Sequence, residues 1–498
     1  MLKRRKRALL QCAGIAVLAL FALFYTQMDV SISGNEASRF AVIQALGEQD
    51  VFHISNTQFR TVDRLIREGK VYSDKPLPLS WCVGKIHRTV HRFSGLNFQE
   101  NYHLLVYLYN LIAAGAVNIL IFVWLFRHLC RTCRAGVESK FFLALAASLG
   151  TLLFSYSTVL NNHLPAALSF FGWFIALEKF RAKPDLFSAF LAGTAAGLTA
   201  ALDIPTGFFA CIFTLPALFF AGKKRDFYNG ENAGCPPLRF LLAGSAGITL
   251  CAVWIAGLNF YAYKNILPLY IANGNGSYSP GTGMKNHWEY VTEALFSYRG
   301  FFLTQPFMFL ALPWIWKKRR QLDASRVCVL LAVLSCIVFY LYMTNEFGGA
   351  AYGFRYLIPI IPVVWYFAAE FLLEVKSRAW HAAAVLLILT GIVTSFAGAY
   401  APFCLAFEGF RSPPQHVTRQ IRSTFAGNLF AWSYESDPES PLTCALIRHY
   451  GIETSKRYLF SAYLMLKKTE LMGEVLHDRR FQNQPQSKPL SAVPGADR

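Results

Sequence analysis

Charge is scarce in this chain. Asp, Glu, Lys and Arg make up 15% of its 498 residues, where a soluble domain carries about a quarter. Acids are scarcest, 29 against 48 Lys and Arg. Also missing are a glycine-rich phosphate loop, a dinucleotide fingerprint and the strand–helix alternation that accompanies them, which excludes nucleotide chemistry on an α/β scaffold. No series of short alternating strands signals a β-barrel, and no fixed period signals a repeat fold. The 11 cysteines build no framework. Cys12, Cys211, Cys251, Cys328 and Cys336 lie in apolar runs, where cysteine acts as a small hydrophobe. Cys130 and Cys133 form a lone C-x-x-C with no second pair to complete a zinc site. Cys404 and Cys444 can pair only in an oxidising compartment.

What is abundant is apolar sequence. Hydrophobic residues are 54% of the chain and mean hydropathy is +0.33. Stretches of roughly 18 to 22 apolar residues recur, each enough to cross a hydrocarbon core of about 30 Å as a helix. The fold class expected is an all-α polytopic membrane protein with about 11 transmembrane helices. They are read at 8–26, 104–126, 141–160, 164–178, 186–202, 204–221, 240–262, 301–316, 326–344, 355–373 and 381–402. The first, after "MLKRRKR", is too long for a signal-peptide core and no small-x-small cleavage site follows it, so a retained anchor helix is expected.

The net charge of +19 would point to nucleic acid if the cations formed a stripe. Instead they punctuate the gaps: "KRRKR", "RHLCRTCR", "KFRAK", "GKKR", "KKRR" and "EVKSR" fall on alternate sides of successive spans. That is the positive-inside pattern. It predicts a cytoplasmic N-terminus, no nucleic-acid partner, and an odd span count that leaves the C-terminal region outside. The bacterial inner or plasma membrane is the expected location. The transmembrane domain then covers 1–402, with outer loops 27–103 and 263–300. A small extracytoplasmic region follows at 403–480, and a disordered tail at 481–498. In the first loop "EASRFAVIQALGEQD" and "TVDRLIREGKVY" have helical spacing and predict amphipathic interfacial helices. "ANGNGSYSPGTGM" predicts a mobile second loop.

On this topology the unusual polar residues share the outer face. Glu36 and Arg39 follow the first span, and Asp74 and Lys75 come later in that loop. Asn161, Asn162 and His163 occupy one short turn and Asp203 another. Glu346, Tyr352 and Arg355 precede the tenth span. Each has an ordinary reading: an i,i+3 surface pair for Glu36 and Arg39, a solvated pair for Asp74 and Lys75, a turn contact for His163, an N-cap for Asp203, snorkelling for Arg355. Together they predict a ring of ionisable groups at membrane depth, where such groups are costly and mark sites. Lysine and arginine there suit a lipid-linked phosphate, held by charge-assisted hydrogen bonds. A carboxylate suits proton removal from an attacking hydroxyl. The chemistry expected is displacement at a sugar anomeric carbon with lipid phosphate leaving.

Two segments carry a resemblance. "GNEASRFAVIQAL" after the first span resembles the "DE-x-R-[YF]-A" segment of GT-C membrane glycosyltransferases, among them bacterial lipid A aminoarabinose transferases and protein O-mannosyltransferases. "YSDKPLPLSW" resembles their "K-P-P-L" segment, and "NHLPAALSFFGWFIAL" and "YGFRYLIPIIPVVW" resemble later ones. The resemblance spans about residues 8–400. It implies a polyprenyl-phosphate sugar donor, an inverting hexosyl- or pentosyltransferase, and a lipid, glycan or protein acceptor. It also implies a first-loop carboxylate base and, in some members, a divalent metal. Residue by residue, Glu36 matches the Glu of "DE", Arg39 the Arg and Lys75 the Lys of "KP". Asn35 stands where the family has its favoured basic Asp, so the base is Glu36 or another acid such as Asp74. The candidate site is therefore Glu36 and Asp74 as catalytic carboxylates, with Arg39, Lys75, Arg355 and Tyr352 on the donor phosphate. Asn162, His163, Asp203 and Glu346 are candidate substrate or metal contacts. Two other readings stay open: a flippase for a lipid-linked glycan, and a non-catalytic relative. Transporters tend to show inverted repeats and broken mid-membrane helices, whereas polar residues gathered at one face and a long first loop, 27–103, favour the enzyme.

Overall fold

The computed structural model describes residues 2–30, 34–61, 63–228, 238–272, 287–296, 300–344, 351–403, 425, 428–429, 432–433 and 440–450. Glu346, most of the loop expected to be mobile, Cys404 and nearly all of the C-terminal region lie outside them.

The chain opens with α1 (Leu2–Tyr25), whose cationic first turn gives way to an unbroken apolar run. A mixed segment follows: α2 (Gly34–Glu48), a hairpin of β1 (Arg64–Arg67) and β2 (Lys70–Ser73), and α3 (Leu77–Ser94). The bundle continues with α4 (Phe98–Asn110), one π-turn, α5 (Ala116–Thr132), α6 (Val137–Leu149) and α7 (Leu152–Ser155). Then come α8 (His163–Ala182), α9 (Leu186–Leu202), α10 (Ile204–Tyr228) and α11 (Leu238–Tyr263). The shorter α12 (Leu269–Ala272), α13 (His287–Phe296), α14 (Phe301–Thr304) and α15 (Ala311–Lys318) lead to α16 (Ala324–Met343). A 3-10 turn, Arg355–Ile360, enters α17 (Ile361–Glu374), followed by α18 (Arg378–Tyr400) and α19 (Pro441–Tyr450).

Among the described residues seven helices are long and apolar enough to cross a membrane, or eight if the bent pair Val137–Leu149 and Leu152–Thr158 is one span. The chain is thus a multi-pass helical protein, with fewer unbroken spans than the 11 read from sequence. Every segment read as a span is nonetheless mostly helical. The shortfall has local causes. α9 is 17 residues long. α8 carries His163 at one end and Glu178, Lys179 and Arg181 at the other. The 301–316 segment is broken by a 3-10 turn at Pro306–Leu310.

Two expectations for the first loop are corrected. α2 does not lie at an interface: 12 of its 15 residues are buried, Glu36 and Arg39 among them. Its two faces pack at once, one under α3 and the other against the bundle ends. "TVDRLIREGKVY" is not helical either. Glu68 and Gly69 both take positive φ, 51° and 73°, the left-handed pair that closes a two-residue hairpin turn, and Arg64 pairs with Ser73 across it. Without the turn, the 3.6 spacing would have stood. α3 is the amphipathic helix of this segment, entered through Pro76 and closed by Gly95 in the left-handed region. It turns Ile86 and Phe93 outward.

The loop has its own core. Phe40, Phe59 and Phe98 pack ring on ring. Beside them His87, fully buried, bridges Tyr109 Oη at 2.8 Å and Glu48 Oε1 at 3.1 Å. Glu48 also accepts from the Phe98 amide at 2.7 Å. One polar network therefore pins α2, α3 and α4 together. At the far end of the bundle, gap residues meet one another: Lys6 with Glu138, Arg181 with Asp323, Arg326 with Glu178, Lys318 with Glu374. α8 runs from His163 to Arg181 between these two ends, about 30 Å at 1.5 Å per residue.

Candidate active site

The site forms where the first turn of α2 meets the N-terminus of α8. The Asn35 carbonyl accepts from Arg39 Nη1 at 2.9 Å and its amide oxygen accepts from the same nitrogen. Arg39 Nη2 reaches across 123 residues to Asn162 Oδ1 at 2.5 Å. The Asn162 amide in turn donates to the Leu202 carbonyl at 2.6 Å. Glu36, fully buried, accepts from the Leu160 amide at 3.4 Å. A helical turn of α2 thus presents an acid and a cation to the "LNNH" turn at once, which explains why both sit there.

Arg39 has amide partners and no carboxylate in direct contact. Burial, then the charge of Arg355, push its guanidinium down to about 10, against the opposing pull of Asp74, Asp63 and Glu36. Arg355 is more isolated still. It is 8% exposed, its Nε has no hydrogen bond, and its guanidinium lies over the rings of Tyr356 and Phe403. Among the described residues it makes no ion pair. Two buried arginines thus stand near each other, and among the described residues neither has a carboxylate in hydrogen-bond contact.

Lys75 behaves differently. Its Nζ lies 2.9 Å from Asp63 and 3.1 Å from Asp74. Its charge is answered by two carboxylates that flank the hairpin. Asp74 keeps a raised pKa: burial is the chief cause, Asp63 adds to it, and Lys75 and Arg39 oppose. Asp63 escaped sequence reasoning because it lies 11 residues before Asp74, and only the hairpin brings the two together.

A second pair stands beside the arginines. His163 Nδ1 is 2.8 Å from Asp203 Oδ2. Asp203 Oδ1 accepts from Tyr340 Oη at 2.8 Å and from the Thr206 amide at 3.2 Å. The N-cap reading of Asp203 therefore holds, and a histidine partner is added to it. Tyr340 was not legible as a site residue, since it sits in an apolar run of α16. His163 packs on the ring of Tyr356, 5.9 Å between centroids, and lies in the fields of both Arg355 and Arg39.

Tyr352 makes its contacts elsewhere. Its hydroxyl donates to the Thr394 carbonyl at 2.6 Å. It lines a separate, mainly apolar cavity of about 460 Å³ with Leu303, Leu389, Val393 and Phe425. The αL glycine after it, Gly353 at φ 65°, turns the chain so that Tyr352 and Arg355 face different spaces. Glu346 lies outside the described residues. Among those residues no three His, Cys, Asp or Glu side chains converge as a metal requires, so the arrangement does not fit a metal and no step is derived through one.

No protein-family model matches this sequence, and no curated protein matches it. Among solved structures the chain is similar to the arabinosyltransferase EmbB from Mycobacterium smegmatis, at 15% identity and a TM-score of 0.48. The similarity covers 93% of this chain and 40% of that one. This chain therefore spans less than half the length of EmbB.

Proposed function

We propose that this protein is an integral-membrane glycosyltransferase of the GT-C kind. It moves a sugar from a polyprenyl-phosphate donor to a lipid, glycan or protein acceptor on the extracytoplasmic face of a bacterial membrane. One observation carries the reading: Arg39 and Arg355 are both buried, the charge of Arg355 bears on Arg39, and among the described residues neither contacts an acid. A protein does not keep two such cations at membrane depth without an anion to share. A phosphodiester on a lipid supplies that anion, and its tail stays in the bilayer while its headgroup enters the site. The motif resemblance in "GNEASRF" and "SDKPLPL" points the same way.

In this reading the acceptor hydroxyl attacks the anomeric carbon, the bond from that carbon to the phosphate oxygen breaks, and the phosphate leaves carrying the electron pair. Arg39 and Arg355 hold the charge that develops on it. A side chain of the site takes the hydroxyl proton, and Asn162 keeps Arg39 aimed.

The test is a deletion strain and its envelope. Mass spectrometry of glycans and lipids should show one glycosylated product missing and a polyprenyl-phosphate sugar accumulating. A plasmid copy should restore the product, and an Arg355→Gln copy should not. Unchanged glycans and no accumulated donor would refute the enzyme reading. Loss of donor from the outer leaflet alone would favour the flippase.

A further inference from the structure

The site holds more acids than a single proton transfer needs, and most are committed. Asn35, at the position of the family's favoured base, is an amide whose oxygen accepts from Arg39. Glu36 is fully buried and accepts from the Leu160 amide. Asp74 and Asp63 share the ammonium of Lys75. One group in the same place has a proton-accepting atom with nothing on it: His163. Its Nδ1 is taken by Asp203 at 2.8 Å, while Nε2 has no hydrogen-bond partner among the described residues.

Asp203 is built to hold that ring. Its second oxygen is occupied by the Tyr340 hydroxyl and the Thr206 amide, so the carboxylate cannot rotate away without losing both. An acceptor at Nδ1 forces the neutral ring to carry its hydrogen there, which leaves the lone pair on Nε2. A carboxylate behind an imidazole also stabilises the cation formed when Nε2 takes a proton. The side chain keeps 9% of its surface, enough to be reached and little enough to exclude bulk water. His163 is also next to both arginines. Its sequence neighbour Asn162 accepts from Arg39, and the Tyr356 ring lies between it and Arg355.

Resting on the function proposed above, we propose that His163 is the proton acceptor of the transfer reaction, with Asp203 and Tyr340 as its positioning residues. The acceptor O–H bond breaks, its proton passes to His163 Nε2, and its oxygen bonds to the anomeric carbon. The carbon–oxygen bond to phosphate breaks with its electrons on the leaving phosphate. The imidazolium is held by Asp203, and the departing anion offsets Arg39 and Arg355, which would otherwise oppose a third cation. The proton then leaves to water as the prenyl phosphate departs. The base assigned to a first-loop acid in related sequences has, in this chain, moved to the α7–α8 turn. Glu36 and Asp74 remain as the negative charges that keep the cationic cradle in balance.

The experiment uses the full chain in two assays. One is restoration of the missing envelope product in the deletion strain. The other is binding of undecaprenyl phosphate by the purified protein in nanodiscs. His163→Ala and His163→Gln should each lower product at least about 100-fold, the scale of a lost general base, while binding changes by less than about threefold. Imidazole added to membranes of His163→Ala should restore part of the activity, which a merely structural histidine would not show. Asp203→Asn and Tyr340→Phe should each lower product by about tenfold or more. In Asp203→Asn, histidine ¹⁵N spectra should change from one tautomer to a mixture. Glutamine at 163 fills the space, so loss in both histidine variants with normal elution and binding excludes misfolding. Full activity of His163→Gln would overturn the inference and return the base to Asp74 or Glu36. Failure of the wild-type chain to bind undecaprenyl phosphate would instead overturn the function on which it rests.

Discussion

At the scale of single residues, charge pairing separates groups that look alike in sequence. Arg39, Arg355 and Lys75 are all cations flanking apolar runs, yet among the described residues only Lys75 has acids in contact. Arg355→Gln should therefore weaken undecaprenyl phosphate binding at least about tenfold, since one charge-assisted contact to phosphate is worth about 1.5–3 kcal/mol. Lys75→Met should affect binding far less and act instead on the hairpin, where two carboxylates would be left facing each other. Asp74 gives a sign that can be checked by pH. Its folded pKa is raised by burial first and by Asp63 second. Its contribution to stability is thus fully present below the unfolded value and lost as pH rises through the folded one. The Tm of the detergent-solubilised protein should fall over that window, and Asp74→Asn should flatten the fall. The opposite slope would mean that Lys75 and Arg39 outweigh burial.

At the scale of elements, the first outer segment depends on close contacts that sequence periodicity did not reveal. A Cβ at Gly47 would overlap the His87 ring and displace the histidine that ties Glu48 to Tyr109. Gly47→Ala should cost roughly 1–3 kcal/mol, the usual penalty of overpacking, read as a lower Tm. Gly95→Ala, at φ 74° with open space around it, should cost about 1 kcal/mol or less through backbone strain alone. In the hairpin, Glu68→Asn should stabilise, because Asn-Gly is the preferred two-residue turn. Helices with uniform composition were readable from runs of apolar residues. This segment was not, because a 3.6 spacing in "TVDRLIREGKVY" competes with a turn signal only two residues long. α2 hid itself for another reason: a helix buried on all sides around a charged pair has no polar face to mark it.

At the scale of the whole molecule, two polar ends are separated by the length of α8. The far end is latched by Arg326 between Glu178 at 3.1 Å and Glu370 at 3.5 Å. Arg326→Ala should take the cation from Glu370 and leave Glu178 with Arg181 alone, at a cost of about 3 kcal/mol, seen as loss of folded protein in membranes. Arg326→Lys should recover part of it. If the far end is cytoplasmic, a cysteine at Ser94 should react with an impermeant maleimide in intact cells and one at Arg320 only after permeabilisation. The reverse pattern would invert the topology and place the proposed chemistry on the wrong side.

Sequence alone determined the class of this protein, because a bilayer demands about 20 apolar residues per crossing and a cationic bias at one face. Both are linear properties of a chain. It also marked Glu36, Arg39, Asn162, His163, Asp203 and Arg355, since charges and amides beside apolar runs are conspicuous. Tertiary structure decided what these residues do with one another. Whether a cation has a partner, or a carboxylate stands behind a histidine, depends on distances of about 3 Å between residues tens to hundreds of positions apart. That is why Lys75 is paired with two acids, Tyr352 bonds to Thr394, Asp63 and Tyr340 join the polar cluster, and His163 is held by Asp203.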